Sequence, residues 1–342
     1  MNFASDNTCG AAPEMIEALR IANGGAVPSY GEDGLSARLK AELARLFEHD
    51  VAVYPVITGT AANALALSTL VPPHGAIFCH REAHIATDEC GAPELFTQGA
   101  TLVTLAGLHG KISPDALEQA TSRFVRGSVH HAQPAAASIT QVSEMGTCYR
   151  HDEVRAIAEI ARRHGMKLHL DGARLANAIA FLGCTPAEAT WKAGVDTVSF
   201  GMSKNGALAA EAVVFFHPEE VRDFEFRRKR FGHLISKMRF VAAQLLCALE
   251  NDRWLHWARS ANARARLLAG ILRDIADVEV VHPVDANLVF ATLPESLILK
   301  LRSAGAKFYD WSPPERGRRL VRFVTSFATS QSEIEQLRAA CA

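Results

Sequence analysis

Lys204 and Asp171 are the two residues of this 342-residue chain whose type and setting point most directly to chemistry. Asp171 closes the apolar run Lys167-Leu-His-Leu170, and Lys204 follows Thr197-Val-Ser-Phe-Gly201 in a Met202-Ser-Lys-Asn-Gly206 turn. In open α/β sheets, ligands gather beyond the carboxyl ends of the strands, where both side chains would lie. A lysine amine there can condense with a carbonyl carbon, and an aspartate can hold a pyridine nitrogen protonated so that the ring accepts electrons. Pyridoxal 5'-phosphate (PLP) chemistry requires that pairing. Each residue also has an ordinary alternative: an aspartate can cap the next helix, and most lysines lie on surfaces.

Other residues fit around this pair. Thr58-Gly59-Thr60 follows a strand-like run and opens a helix, so its free N–H groups can cradle a phosphate or simply make a tight turn. It is neither G-x-G-x-x-G nor a Walker loop, which speaks against dinucleotide and ATP sites. His84 follows the strand candidate Ala76–Cys79 and offers a flat ring that can stack or move protons. Its neighbours His80, Asp88 and Glu89 lack metal-site spacing, and no metal is expected. Arg174, three residues after Asp171, can face the same crevice. Arg322, inside the apolar run Leu320–Thr325, either binds an anion such as a carboxylate or faces solvent.

The elements that must position these residues alternate. Strand candidates at Val51–Ile57, Ala76–Cys79, Thr101–Leu105, Ala135–Thr140, Lys167–Leu170, Thr197–Phe200 and Ala212–Phe216 are interleaved with helical stretches, notably 114–124, 152–164 and 174–182. This predicts an α/β fold with a mainly parallel sheet covered on both faces. Residues 219–275 read as almost wholly helical, and strands return at Val278–Val281, Leu288–Leu293, Lys307–Trp311 and Leu320–Thr325. The expected division is a large domain, 1–250, and a smaller α+β domain, 251–342, which the N-terminal segment can join.

With 36 basic and 37 acidic side chains the net charge is −1, which gives no reason to expect nucleic acid or an anionic membrane as partner. Arg227-Arg228-Lys229-Arg230 is the local exception and reads as a solvated helix face. Seven dispersed cysteines without a C-x-x-C pair fit reduced thiols. The N-terminal residues lack a secretion-signal pattern, and no apolar run reaches the ~20 residues that span a bilayer. A cytoplasmic location is expected.

Eight segments in order resemble one family, the PLP-dependent threonine aldolases of the low-specificity L-threonine/phenylserine branch. They are Phe3-Ala-Ser-Asp-Asn, Tyr30-Gly-Glu-Asp, Thr58-Gly-Thr-Ala-Ala-Asn, Ala83-His-Ile-Ala-Thr-Asp-Glu-Cys-Gly-Ala-Pro, Leu170-Asp-Gly-Ala-Arg, Trp191-Lys-Ala-Gly-Val-Asp, Ser203-Lys-Asn-Gly and Ser236-Lys-Met-Arg-Phe. The resemblance implies the fold of type I PLP enzymes, with a mostly parallel seven-stranded sheet. It implies retro-aldol cleavage of β-hydroxy-α-amino acids to glycine and an aldehyde, with β-elimination or transamination as the alternatives on that scaffold. Residue by residue, it makes Lys204 the Schiff-base lysine, Asp171 the pyridinium partner and His84 the ring-stacking residue. Gly59 and Thr60 would bind the phosphate, and Ser5, Arg174 and Arg322 the substrate carboxylate. Lys237 and Arg239 would reach a phosphate across a subunit interface, and Tyr30 would serve the neighbouring site of a homodimer or homotetramer. Where many relatives carry Asn-Thr-His this chain has Thr140-Gln-Val-Ser-Glu144, so the base for the β-hydroxyl is left between His84 and a water. Where some have Trp and Asp after the C-terminal serine, it reads Ser326-Phe-Ala-Thr.

Overall fold

In the computed structural model, which describes residues 1–221 and 223–341, seven strands form the main sheet. They are β1 (Ala52–Val56), β2 (Gly75–His80), β3 (Thr101–Leu105), β4 (Gln133–Thr140), β5 (Lys167–Gly172), β6 (Thr197–Gly201) and β7 (Glu211–Phe215). Their order is β1-β7-β6-β5-β4-β2-β3. From β3 across to β6 every pairing is parallel, and β7 runs antiparallel to both its neighbours. β2, β6 and β7 are buried along their whole length, as expected of strands covered on both faces.

The helix Gly59–Leu70 shows why this sheet is well covered. Its residues Ala61 to Ser68 are all buried, so it is apolar on every side and runs through the interior. His151–Arg163 is instead amphipathic, burying Val154, Ile157, Ala158, Ile160 and Ala161. Within the sheet, His169 of β5 bridges Ser138 of β4 at 2.8 Å and Ser199 of β6 at 3.0 Å. Burial pushes this imidazole down to about 4, so it is a neutral tie between strands rather than a titrating group.

A second sheet, in the order β10-β11-β9-β8, is made of β8 (Glu279–Val280), β9 (Leu288–Pro294), β10 (Tyr309–Asp310) and β11 (Arg318–Val324). It carries its own core, which includes Leu268, Leu272, Val289, Leu293, Val321 and Phe323. Phe3 is fully buried in that core, and Phe3 N–H donates to Lys307 O at 2.8 Å, so the first residues lie with the second sheet. The helix Arg253–Arg273 joins the two bodies. Trp254 and Ala258 pack in the first core, Ala265 to Leu272 in the second.

Three sequence expectations need correction. The predicted helical run 219–275 is broken between the helices Phe224–Arg230 and Arg239–Leu249, where Gly232 takes φ +80°. The strand expected over Lys307–Trp311 contains only two ladder residues, Tyr309 and Asp310. Arg228 is not solvated: it is 3% exposed and donates to Pro55 O at 2.8 Å, because its helix packs against the edge of the first sheet near β1.

Candidate active site

A cavity of about 350 Å³ opens at the carboxyl ends of β4, β5 and β6. Lys204, Asp171, His84, Arg174, Gly59 and Thr60 all line it. Parallel topology accounts for the convergence: β5 and β6 run side by side, with Asp171 registered opposite Ser199, and both chains turn beyond the same edge.

The Lys204 turn is tied on several sides. Met202 O accepts from Asn205 N at 2.9 Å and Ala207 N at 3.1 Å, and Asn205 Nδ2 donates to Trp254 O at 2.8 Å. Gly206 has φ +94°, and a Cβ there would come within 2.8 Å of the Trp257 ring, so only glycine suits the turn. The Lys204 ammonium has no partner among the described residues, which leaves it directed by backbone geometry alone.

Asp171 is buried and both oxygens are engaged: Oδ1 accepts from Ala173 N at 3.0 Å, Oδ2 from Asn63 Nδ2 at 2.8 Å. Asn63 Nδ2 also donates to Glu89 Oε1 at 2.8 Å, and His84 Nδ1 donates to the same oxygen at 2.8 Å. A chain of contacts thus runs from the half-buried His84 through the buried Glu89 and Asn63 to Asp171. The hydrogen bond to Glu89 raises the His84 pKa, outweighing the opposite influence of burial. Burial in turn raises Glu89, against the pull of His84 and Asn63. Asp171 lines the cavity and is not the N-cap of the next helix, which begins at Leu175 after Arg174.

Arg174 meets an acid that sequence reasoning passed over. Its Nε and Nη2 donate to Asp6 Oδ2 and Oδ1 at 2.7 and 2.9 Å, a fork-to-carboxylate pair with both side chains buried. Burial would raise the Asp6 carboxyl, but the Arg174 guanidinium holds it below the usual range. Nη1 has no acceptor among the described residues, so one edge of the guanidinium remains for the cavity.

Two further acids of the lining were also missed, Glu144 and Glu211. Glu144 Oε1 accepts from His84 N at 3.1 Å, and burial followed by repulsion from Asp171 raises its pKa. Glu211 Oε1 accepts from Ser203 N at 3.2 Å, and burial pushes it up to about 7. Glu89 belongs to the segment Ala83–Pro93, and Glu144 ends the segment that departs from the family pattern, so each carried a sequence signal. Glu211 gave no sequence signal beyond an acid opening an apolar strand.

The remaining predicted residues lie outside the lining. Ser5 caps the turn Asp6–Thr8 by accepting from Asn7 N at 3.2 Å, and it is Asn7 that reaches the cavity. Arg322 lies over the rings of Tyr309 and Trp311, 5.3 and 4.8 Å from their centroids. Burial and then Arg174 lower its pKa, and Asp6 and Glu144 also act on it, which sets it beside the Asp6–Arg174 pair. Its side chain is half-buried between the two rings rather than open to solvent. Tyr30 is exposed with Lys229 Nζ 4.7 Å from its ring centroid. Lys237 is exposed, and Arg239 donates to Gly25 O at 3.0 Å on the wall of a separate cleft of about 890 Å³.

The cavity fits PLP on its own chemistry. At the start of the helix Gly59–Leu70, Thr58 Oγ1 accepts only Ala61 N, and the N–H groups of Gly59 and Thr60 have no acceptor among the described residues. A phosphate would complete them, an unpaired lysine stands across the space, and a buried carboxylate faces the same space from β5.

Residues 2–296 match the family model described as beta-eliminating lyase. The chain belongs to the beta-eliminating lyase family. This beta-eliminating lyase family member is 42% identical over 337 residues to the low specificity L-threonine aldolase of Pseudomonas sp. (strain NCIMB 10558), covering 98% of this chain and 96% of that protein. It is also 42% identical to the low specificity L-threonine aldolase of Pseudomonas aeruginosa, covering 98% and 95%. Among solved structures, threonine aldolase from Leishmania major superposes with a TM-score of 0.94 at 25% identity, covering 99% of this chain and 98% of that one. The architecture is the type I PLP-enzyme fold, α/β with a mostly parallel seven-stranded sheet and a smaller sheet beside it.

Proposed function

We propose that this lyase uses PLP to cleave L-threonine, L-allo-threonine and related β-hydroxy-α-amino acids, phenylserine among them, to glycine and an aldehyde. The observation that carries the reading is the convergence of Lys204, Asp171 and His84 in one cavity whose helix start presents two unclaimed N–H groups. The 42% identity to two low specificity L-threonine aldolases supports the same reaction.

When bound, PLP supplies an electrophilic aldehyde carbon and a ring that takes up the electron pair released by bond cleavage. Lys204 would provide the amine that holds that aldehyde. Asp171 would keep a proton on the ring nitrogen, its own position fixed by Ala173 N and Asn63. Gly59 and Thr60 would bind the phosphate. His84 would lie flat against the ring, its tautomer set by Glu89. Arg174, through its open edge, and Arg322, across the Asp6 pair, would hold the amino-acid carboxylate. Ser5 would act there only through the turn that presents Asn7. Fixing the carboxylate and the amine at once selects which Cα bond lies perpendicular to the ring, and orientation decides which bond breaks.

A second copy of the chain would cover the 890 Å³ cleft, whose wall includes exposed Ile21 and Val27. That arrangement would bring Tyr30, Lys237 and Arg239 toward the neighbouring site in a homodimer or homotetramer. The division at residue 250 is kept as a working proposal, with the helix Arg253–Arg273 bridging both bodies. The cysteines, all seven free, support a reducing, cytoplasmic setting. No helix of the described residues is long and apolar enough to cross a membrane.

The test is product analysis of the PLP-loaded protein with L-threonine, L-allo-threonine and L-phenylserine. Glycine plus the matching aldehyde is expected, and K204A should lose both turnover and the visible absorbance of the bound cofactor. Pyruvate plus ammonia would instead mark β-elimination and overturn the aldolase reading.

A further inference from the structure

Breaking the Cα–Cβ bond of a β-hydroxy amino acid needs a group that takes the hydroxyl proton. The cavity lining offers few. Asp171 has a donor on each oxygen. His84 donates its Nδ1 proton to Glu89, which raises its pKa and leaves Nε2 as a base, but in the reading above that ring lies against the cofactor. Glu211 is fully buried behind the Lys204 turn, with Oε1 taken by Ser203 N. A Cβ on Gly201 would sit 2.6 Å from its Oε2, so that oxygen is pressed against β6.

Glu144 lines the cavity, Oε1 is fixed by His84 N, and Oε2 takes no hydrogen bond among the described residues; unlike Glu211 it is only half-buried, so that oxygen is not shut behind a strand. The turn that carries it is held from both sides. Gln141 accepts from Tyr149 N and donates to Tyr149 O, each at 2.9 Å, and Ser143 Oγ donates to His109 O at 2.9 Å. Ser143 N and O bond Thr147 O and Gly146 N at 2.9 and 2.8 Å. Burial and then Asp171 raise its pKa, which makes it a stronger base than an ordinary carboxylate, while Lys204, Arg174 and His84 favour its ionised form.

We propose that Glu144 is the group that accepts the β-hydroxyl proton through Oε2, an assignment that rests on the aldolase reading above. In the step, the substrate O–H bond breaks and its proton passes to the Glu144 carboxylate. The oxygen forms the C=O bond of the aldehyde as Cα–Cβ breaks, and that bond's electron pair stays with the Cα fragment. Cα then takes up one proton to become glycine. Substrate and products have the same atoms, so no oxidant or reductant enters. In the reverse direction protonated Glu144 returns the proton to the aldehyde oxygen.

The experiment uses the PLP-loaded enzyme and two reactions that differ in their need for this proton. Glycine release from L-threonine needs it; exchange of the glycine α-hydrogen in D₂O, followed by ¹H NMR, does not. In E144Q, threonine cleavage is expected to fall at least ~100-fold in kcat while glycine exchange stays within about threefold of wild type. PLP affinity, read by absorbance titration, should be unchanged. An E144Q enzyme that keeps more than about a tenth of wild-type cleavage overturns the proposal, since a general base contributes ~100-fold or more. Parallel loss of cleavage and exchange in E144Q and again in E144A overturns it too, because the role is then structural. A wild-type enzyme that exchanges glycine but cleaves no β-hydroxy amino acid sinks the aldolase reading itself, an outcome distinct from an active wild type beside an equally active E144Q.

Discussion

Replacing Asp6 by Asn removes one charge from a pair that is buried on both sides. Asp6 has no exposed side-chain surface and Arg174 is 8% exposed. Asparagine keeps the volume and can still accept from Asn287 Nδ2, which lies 3.0 Å from Oδ2, but its amide nitrogen cannot accept from Arg174, so the change removes the charge and one of the two Arg174 hydrogen bonds. Leaving a guanidinium buried without its carboxylate typically costs about 3–5 kcal/mol. With ~2.1 cal/mol/K of unfolding entropy per residue, 342 residues give about 0.7 kcal/mol per degree, or ~1.4 °C for each kcal/mol. D6N should therefore melt about 4–7 °C below wild type at neutral pH. The pH dependence has a fixed sign. The Asp6 carboxyl lies below its ordinary 3.8 when folded, so its stabilisation is fully present above that value and is lost as pH falls through the lower folded one. The gap between the two proteins should persist from neutral pH to about 4 and close below it. Differential scanning calorimetry across that range is the assay. A D6N protein melting within about 1 °C of wild type at neutral pH would refute the claim that Asp6 neutralises Arg174.

Other perturbations test neighbouring contacts. In E89Q the His84 midpoint, followed by NMR of its ring protons, should move to lower pH, because the Glu89 hydrogen bond is the largest influence raising it. The stability that the charged His84–Glu89 contact contributes is full below the ordinary histidine value of 6.5 and is lost as pH rises through the raised folded value; an unmoved midpoint would remove Glu89 from that role. R322M should raise KM for the amino acid by about 10–100-fold with a smaller change in kcat, as expected for loss of a charge-assisted hydrogen bond worth ~1.5–3 kcal/mol. An unchanged KM would assign Arg322 to packing between Tyr309 and Trp311 alone.

The sequence made the sheet legible because its strands are apolar runs bounded by polar turns, and burial on both faces leaves that pattern uninterrupted. β10 was overread because Tyr309 and Asp310 are exposed edge residues, where side-chain type reports little about pairing. Arg228 was misjudged for the opposite reason. Four consecutive basic residues on a helix point in four directions, and only packing decides which of them turns inward. At the site, Lys204, Asp171 and His84 could be placed because each follows a strand end in a recognisable segment. Asp6 pairs with Arg174 across 168 positions of sequence, and Asn287 reaches Asp6 across 281. No local pattern contains such pairings. They arise because the N-terminal segment adds Phe3 to the second core while Asp6 projects toward the first sheet.

The acids around the cavity are best understood through two opposed influences. A carboxylate in water is a weak base toward a hydroxyl group, and burial strengthens it by disfavouring its charge. Burial alone would go too far and leave the acid protonated and inert. Around Glu144 the opposing pull comes from Lys204, Arg174 and His84, and burial with Asp171 still outweighs it. Arg174 contributes less than a free guanidinium would, because Asp6 neutralises much of it. Glu211 is more deeply buried and reaches about 7, yet its Oε1 holds Ser203 N and its Oε2 is lodged against Gly201. A titration midpoint near neutrality therefore does not identify the proton acceptor. Both acids keep one oxygen without a donor; what separates them is that Glu211 is buried with that oxygen against Gly201, whereas Glu144 is only half-buried on the cavity wall, a distinction that is geometric before it is electrostatic.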